Sequence, residues 1–226
     1  MRVEIWSDIV CPWCYVGKRN FETALAGFEH RSDVTVTWRS FELDPSAPAA
    51  RDGDYATHLA KKYGLGRPQA QNMIDTMTKT GASVGLVLDF DKARPGNTFD
   101  AHRLLHLAKD RGLQDTLKER LQRATFTDGE PIGDREALHR LAVEVGLPAA
   151  DVAAVLDSDA YAAAVRADEQ LAMDLGISAV PFFVIDRTFG IPGAQPPDVI
   201  LRALQRAWEK TERVGAPPPT AGGAPT

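Results

Sequence analysis

The chain has two cysteines, Cys11 and Cys14, in the sequence Cys-Pro-Trp-Cys. Two thiols separated by two residues can form a disulfide with one another or remain a reactive pair. If a helix begins at this motif, its unpaired N–H groups and macrodipole stabilise a negative sulfur and lower the pKa of the first cysteine. We therefore predict that Cys11 is the nucleophile, and that Cys14, deeper in the helix and less exposed, resolves the mixed disulfide.

A metal site is an alternative use of these thiols, because His102 and His106 are spaced by one helical turn and two Cys with two His can bind zinc. However, the histidines are far from the cysteines in sequence, and Arg103 stands where a zinc protease would have its glutamate. The pattern favours redox chemistry and no metal. The histidines are better explained as flanking the apolar stripe of a half-buried helix than as catalytic groups.

A second informative stretch is Val180-Pro181, which directly precedes a predicted strand. A proline in this place can simply start an edge strand. Alternatively, the peptide bond is cis and faces the cysteines, so that an extended substrate could pair with the neighbouring backbone like an added strand. Spacing alone leaves both interpretations open.

The cysteine motif must be positioned by the elements on either side of it. Alternating and apolar residues predict a strand over Arg2–Trp6, a helix from about Cys14 to Phe28, and a second strand over residues 34–38. A helix between two strands begins a β-α-β unit with a parallel pair. Helical patterns then dominate as far as Gly176, and a hairpin and a last helix follow.

This order, β-α-β, a helical block and then β-β-α, resembles a thioredoxin fold with a large all-helical insertion domain, an α/β protein. We expect a discontinuous thioredoxin-like domain, an insertion and a disordered tail rich in Pro, Gly and Ala. Their predicted limits are residues 1–43 with 158–210, residues 44–157, and residues 211–226.

Composition and the N-terminal sequence indicate which classes of partner and which cellular compartment to expect. The 226 residues are 44% hydrophobic and 25% charged, with a net charge of −5, which argues against a nucleic-acid or membrane partner. A strand pattern directly follows Met1 in place of a secretory leader, so we expect a cytoplasmic protein. The sequence has no glycine-rich dinucleotide or phosphate loop, and therefore no organic cofactor is expected.

Several segments, in order along the chain, resemble the DsbA-like thioredoxin-fold oxidoreductases, and most closely their FrnE-like branch. They are Cys11–Lys18, Phe41–Pro45, Asn97-Thr98 with Ala101–Leu104, Val180–Phe183 and Gly193–Gln195. The likeness extends from about Arg2 to Trp208. It implies a dithiol–disulfide oxidoreductase or isomerase in which Cys11 is the nucleophile, Cys14 resolves and Pro181 is the cis-proline. We expect Pro12, Trp13, Val180 and Phe182 to contact a thiol or disulfide substrate.

The sequence departs from the wider family in two places. Trp13 stands where strongly oxidising members have a histidine, so the helix terminus must supply most of the thiolate stabilisation and we expect a milder oxidant. Ile5 replaces the buried acid found six residues before the first cysteine. Its role could have moved to Asp8, although a turn or capping role is the favoured explanation for Asp8.

Two other functions are compatible with this fold. A glutathione-dependent isomerase or transferase of the hydroxychromene-carboxylate isomerase or kappa class would usually lack the complete C-x-x-C, which favours redox chemistry here. A non-catalytic peptide-binding or chaperone module would have no need to keep both thiols. Glutathione could still bind as a redox co-substrate.

Overall fold

A computed structural model describes residues 1–51 and 53–215, with side chains as far as residue 210. Its four-stranded sheet has the order β2-β1-β3-β4, with β1 at Arg2–Ser7, β2 at Thr35–Ser40, β3 at Phe182–Ile185 and β4 at Phe189–Pro192. Strands β1 and β2 are parallel, whereas β3 is antiparallel to both β1 and β4. The predicted thioredoxin fold is confirmed, and the strand that leads into the cysteines is central.

Helices α1 (Pro12–Ala26) and α9 (Pro197–Gly215) share a core with one face of the sheet. Helix α1 begins two residues earlier than predicted, because Pro12 can occupy the first helical turn without losing a backbone hydrogen bond. Helix α9 continues through residues 211–215, the first part of the predicted disordered tail. Residues 216–226, the rest of that tail, lie outside the described residues.

Helices fill the chain between β2 and β3, as expected. They are α2 (Tyr55–Tyr63), α3 (Arg67–Ser83), α4 (Phe99–Asp110), α5 (Gln114–Arg123), α6 (Arg135–Glu144), α7 (Ala149–Leu156) and α8 (Ala162–Asp174). Helix α8 starts later than the predicted Ser158, after Tyr161 in a left-handed conformation with φ of 63°. In the described part of the chain, no helix is long and apolar enough to cross a membrane.

The insertion has two hydrophobic cores. One is built from α4, α5, α6 and α7, around residues such as Leu104, Leu121 and Leu141. The other joins α2 and α3 to Tyr15 and Val16 of α1. Because the helix that carries the cysteines contributes to this second core, α2 and α3 are fixed beside the cysteine motif.

Candidate active site

The cysteine motif lies where β1 ends and α1 begins. Cys11 is the N-cap residue of α1, and its carbonyl oxygen accepts hydrogen bonds from the N–H groups of Cys14 (3.0 Å) and Tyr15 (3.3 Å). Both thiols are free, and Cys11 is 4% exposed whereas Cys14 is fully buried. This order of exposure agrees with the prediction that Cys14 lies behind Cys11.

The Val180–Pro181 peptide bond is cis, which agrees with the second interpretation of this stretch. The Val180 carbonyl oxygen lies 3.7 Å from Cys11 Sγ and accepts a weak hydrogen bond from the thiol. Pro181 packs over Gly17 of α1, where an added Cβ would lie 2.8 Å from a carbon of the proline ring. Gly17 therefore permits the close approach between α1 and the segment that faces Cys11.

The two thiols are coupled, and one ionises more readily than the other. The pKa of Cys11 is raised well above its ordinary value, because its thiol is hydrogen-bonded to Cys14, is buried and lies near the negative charge of Asp8. Burial opposes the ionisation of Cys14 as well, but the hydrogen bond from Cys11 and the positive charge of Lys118 lower its pKa.

The prediction of a lowered pKa for Cys11 is therefore wrong for the reduced pair. The N-cap position of Cys11 does favour a negative sulfur, but its own burial and the neighbouring groups outweigh this effect. The pair loses its first proton as a unit, and Lys118 stabilises the resulting negative charge from the Cys14 side.

A buried cation that sequence reasoning missed lies near Cys14. Lys118 of α5 is fully buried, and its Nζ lies 3.4 Å from the Ser7 carbonyl oxygen. The pKa of Lys118 is lowered to about 8, because burial outweighs the attraction of Cys14. In sequence, Lys118 lies beside Leu117 and Leu121, as a lysine at the solvent edge of an amphipathic helix would, so no clear signal distinguishes it.

Asp8 has the turn role that we favoured and also contacts a histidine. Its carboxylate accepts hydrogen bonds from the N–H groups of Ile9 (2.7 Å) and Leu43 (2.8 Å), which fix the turn after β1. The same carboxylate lies 3.3 Å from His102 Nε2. Burial raises the pKa of Asp8, but His102 and the Leu43 N–H more than offset it and hold this pKa below its ordinary value. An ionised carboxylate is therefore buried beneath the cysteine motif.

His102 and His106 are buried rather than half-buried, and each contacts an acid. His106 Nε2 lies 3.2 Å from both Ser40 Oγ and Asp168 Oδ2. The pKa of His102 is lowered by burial, although Asp8 opposes this effect. The histidines are thus parts of buried polar networks rather than mere borders of an apolar stripe. Within the described ranges, no three His, Cys, Asp or Glu side chains form a group that could hold a metal.

A cavity of about 90 Å³, partly open to solvent, adjoins Cys11. Pro12 and Trp13 line it near the cysteines, and Trp13 is 38% exposed. Its opposite wall comes from α2 and α3 and includes Tyr55, His58, Leu59, Lys62, Tyr63, Met73 and Met77.

Two of the predicted substrate contacts lie elsewhere. Val180 and Phe182 do not line this cavity, because their side chains pack against a cluster that includes Trp6 and Ile177. Val180 approaches Cys11 through its carbonyl oxygen instead. Contacts of all four predicted residues with a substrate stay a prediction.

The sheet topology, the cis-proline and the paired cysteines at the start of a helix define a thioredoxin-fold protein with a redox-type motif. A family model described as the DSBA-like thioredoxin domain matches residues 2–205. The chain therefore belongs to the DsbA-like thioredoxin-domain family, whose members are generally thiol–disulfide oxidoreductases.

Individual proteins agree with this membership. The chain is 32% identical over 213 residues to the uncharacterized protein YwbO of Bacillus subtilis. The aligned region covers 93% of this chain and 98% of that protein. A crystal structure of a probable DsbA oxidoreductase from Streptomyces coelicolor is 50% identical, with a TM-score of 0.89 over 93% of this chain and 91% of that chain.

A more distant structure is the cytosolic disulfide reductase DsbM from Pseudomonas aeruginosa, solved with GSH. It is 18% identical, with a TM-score of 0.63 over 92% of this chain and 100% of that chain. At this identity the likeness shows the fold alone.

Proposed function

We propose that this protein exchanges disulfides through Cys11 and Cys14, acting as a dithiol–disulfide oxidoreductase or isomerase. The observation that supports this most strongly is the order of the two sulfurs. Cys11 lines a partly open cavity, and Cys14 is fully buried behind it. One sulfur can meet a substrate while the other stays behind it to resolve the mixed disulfide.

The reaction begins from the singly ionised pair, in which the two sulfurs share one proton. With this proton on Cys14, the Cys11 thiolate attacks one sulfur of a substrate disulfide R–S–S–R′. A Cys11–S–R bond forms, the substrate S–S bond breaks, and R′–S⁻ leaves with the electron pair.

The second step closes the internal disulfide. Cys14 gives up its proton and attacks Cys11 Sγ, so that a Cys11–Cys14 bond forms and R–S⁻ leaves. The substrate has gained two electrons and the protein has lost two, while the leaving thiolates take up protons as their pKa values require. The reverse sequence oxidises a substrate dithiol.

The cavity suits an extended thiol or disulfide with apolar groups. Trp13 and the methionines of α3 offer apolar surface, and the Val180 carbonyl oxygen, which now accepts from the Cys11 thiol, is a backbone group with which an extended substrate could pair. We propose glutathione as a possible redox co-substrate and the cytoplasm as the compartment, supported by the fold shared with a cytosolic reductase solved with GSH.

Single cysteine variants test this proposal. Cys11→Ser is expected to abolish reduction of a protein disulfide, and Cys14→Ser to accumulate a mixed disulfide visible by intact-protein mass spectrometry. Full turnover in both variants would contradict the proposal. A parallel glutathione-conjugation assay of the unmodified protein distinguishes transferase chemistry, which would persist without Cys14.

A further inference from the structure

Helix α5 of the insertion places a buried ammonium group beside the cysteines without giving it an acidic partner. Lys118 is fully buried, and its only hydrogen bond in the described part of the chain is to the Ser7 carbonyl oxygen. No carboxylate of the described residues lies within 4.0 Å of Nζ. A buried charge without a partner is costly, so another negative group must compensate it.

The groups that surround Lys118 identify this compensating charge. Cys14 and Asp8 attract the ammonium, in that order of effect, Cys11 adds a smaller attraction when it is ionised, and Lys18 of α1 repels it. The ring of Trp38 lies 5.7 Å from Nζ and adds a weaker attraction. Asp8 already contacts His102 and the Leu43 N–H. The Ser7 carbonyl that Lys118 contacts ends the strand that leads into the cysteine motif, so the thiol pair is the remaining source of negative charge beside the ammonium.

Lys18 provides a comparison within the same interface. It is 2% exposed, on α1 four residues after Cys14, and its ammonium contacts Glu22, Asp115 and Glu119. These carboxylates keep the pKa of Lys18 above its ordinary value in spite of burial. Two buried lysines therefore differ in their contacts, which are three carboxylates for Lys18 and a backbone carbonyl for Lys118.

We propose that Lys118 is a positioning residue, supplied by the helical insertion, whose ammonium holds the negative charge of the reduced Cys11–Cys14 pair. This inference rests on the proposed function. The residues between the two cysteines include Trp13 and no cation. The positive charge near the thiols is therefore supplied by Lys118 of α5.

The charge exists in the reduced protein only. Two-electron reduction of the Cys11–Cys14 disulfide takes up one proton when it gives a thiol and a thiolate, and two protons when it gives two thiols. The ammonium of Lys118 favours the first outcome, and its loss favours the second. Lys118 therefore stabilises the reduced form and makes the protein a stronger oxidant.

Lys118→Met, with Lys18→Met as the matched control, tests this assignment. We expect Lys118→Met to raise the first thiol pKa, followed by ultraviolet thiolate absorbance, by about one unit. The equilibrium with glutathione should shift about tenfold toward the disulfide, or about 30 mV to lower potential. Lys18→Met should lower stability and leave both readouts close to wild type. Equal thiol titrations in Lys118→Met and wild type would overturn the proposal.

A measurement on the wild-type protein keeps the proposal testable if Lys118→Met does not fold. Because coupling is reciprocal, the thiolate must raise the pKa of Lys118 as much as Lys118 lowers that of the thiol. Lysine side-chain NMR should show Lys118 titrating at lower pH in the oxidised than in the reduced protein, and an unchanged titration would overturn the assignment. These readouts need no substrate, so they stay distinct from the turnover of Cys11→Ser that tests the function itself.

Discussion

The two sides of the cysteine pair have opposite surroundings. Cys11 faces a cavity lined by Trp13 and by aromatic and methionine side chains of α2 and α3. Cys14 faces buried polar groups, among them Lys118, with Asp8 and His102 close by. The comparison suggests a division of labour, in which the open side selects the partner and the buried side sets the thiol pKa. Substitutions on the two sides should therefore change different measurements.

The largest effect is expected from Asp8→Ala on the buried side. It leaves the Ile9 and Leu43 N–H groups without their acceptor, and we expect a loss of about 3 kcal/mol of unfolding free energy. Removing this negative charge should also lower the pKa of Cys11. Urea unfolding and thiolate absorbance measure the two effects.

Asp134→Ala is the matched control for Asp8→Ala. Asp134 also accepts a hydrogen bond from a backbone N–H, that of Ala137, but it is an exposed cap on α6. We expect its loss to cost about 1 kcal/mol and to leave the thiol titration unchanged. Equal losses of stability in both variants would show that the burial of Asp8 has no special importance.

A smaller effect is expected from Gly17→Ala, which disturbs the open side through Pro181. The new methyl group would lie 2.8 Å from the proline ring, and we expect a loss of about 1–2 kcal/mol with slower reaction at Cys11. Gly27→Ala at the other end of α1 is the control, because an added Cβ there has no contact closer than 3.6 Å. Similar behaviour of the two variants would contradict the close packing of α1 against Pro181.

His102→Gln should change how stability depends on pH. The pKa of His102 is lowered from 6.5, mainly by burial, so the unfolded chain binds a proton more readily than the folded one. This difference destabilises the folded wild type as pH falls below about 6.5, and has no effect above it. The unfolding free energy of the wild type should therefore fall more steeply between pH 7 and pH 5 than that of His102→Gln, which urea unfolding at a series of pH values measures. An equal dependence of stability on pH in the wild type and in His102→Gln would contradict this prediction.

The smallest effect on stability is expected from Trp13→Ala on the open side. Trp13 is 38% exposed, so we expect a change within about 0.5 kcal/mol. KM for a peptide disulfide should rise several-fold because the apolar wall is lost, while the thiol pKa stays unchanged. A large shift in the thiol titration would contradict the division between the two sides.

Features that depend on residues close together in the chain can be predicted from the sequence. The strand before the cysteines, the helix after them and the exposure order of Cys11 and Cys14 follow from local periodicity and spacing. Spacing alone does not decide whether the Val180–Pro181 peptide bond is cis or trans, whereas the family resemblance implies a cis bond. The apolar stripe of α1 locates the body of the helix and not its first turn, so it predicts a start two residues after Pro12.

The rest of the site depends on contacts between distant segments. Lys118 reaches the Ser7 carbonyl from 111 residues away, and His102 reaches Asp8 from 94 residues away. The order of ionisation of Cys11 and Cys14 depends on these neighbours as well as on the helix terminus. No local pattern could have indicated which polar residues of the helical insertion would face the thiols.

The hydrophobic core that α2 and α3 share with Tyr15 and Val16 limits how this protein can be engineered. Excising the helical segment to leave a minimal scaffold would strip apolar cover from the cysteine helix itself. Transplanting the Cys-Pro-Trp-Cys loop alone into a smaller host would likewise transfer the reactive atoms without the ammonium group that accompanies them here. The working unit for grafting is the loop together with the helices packed on it.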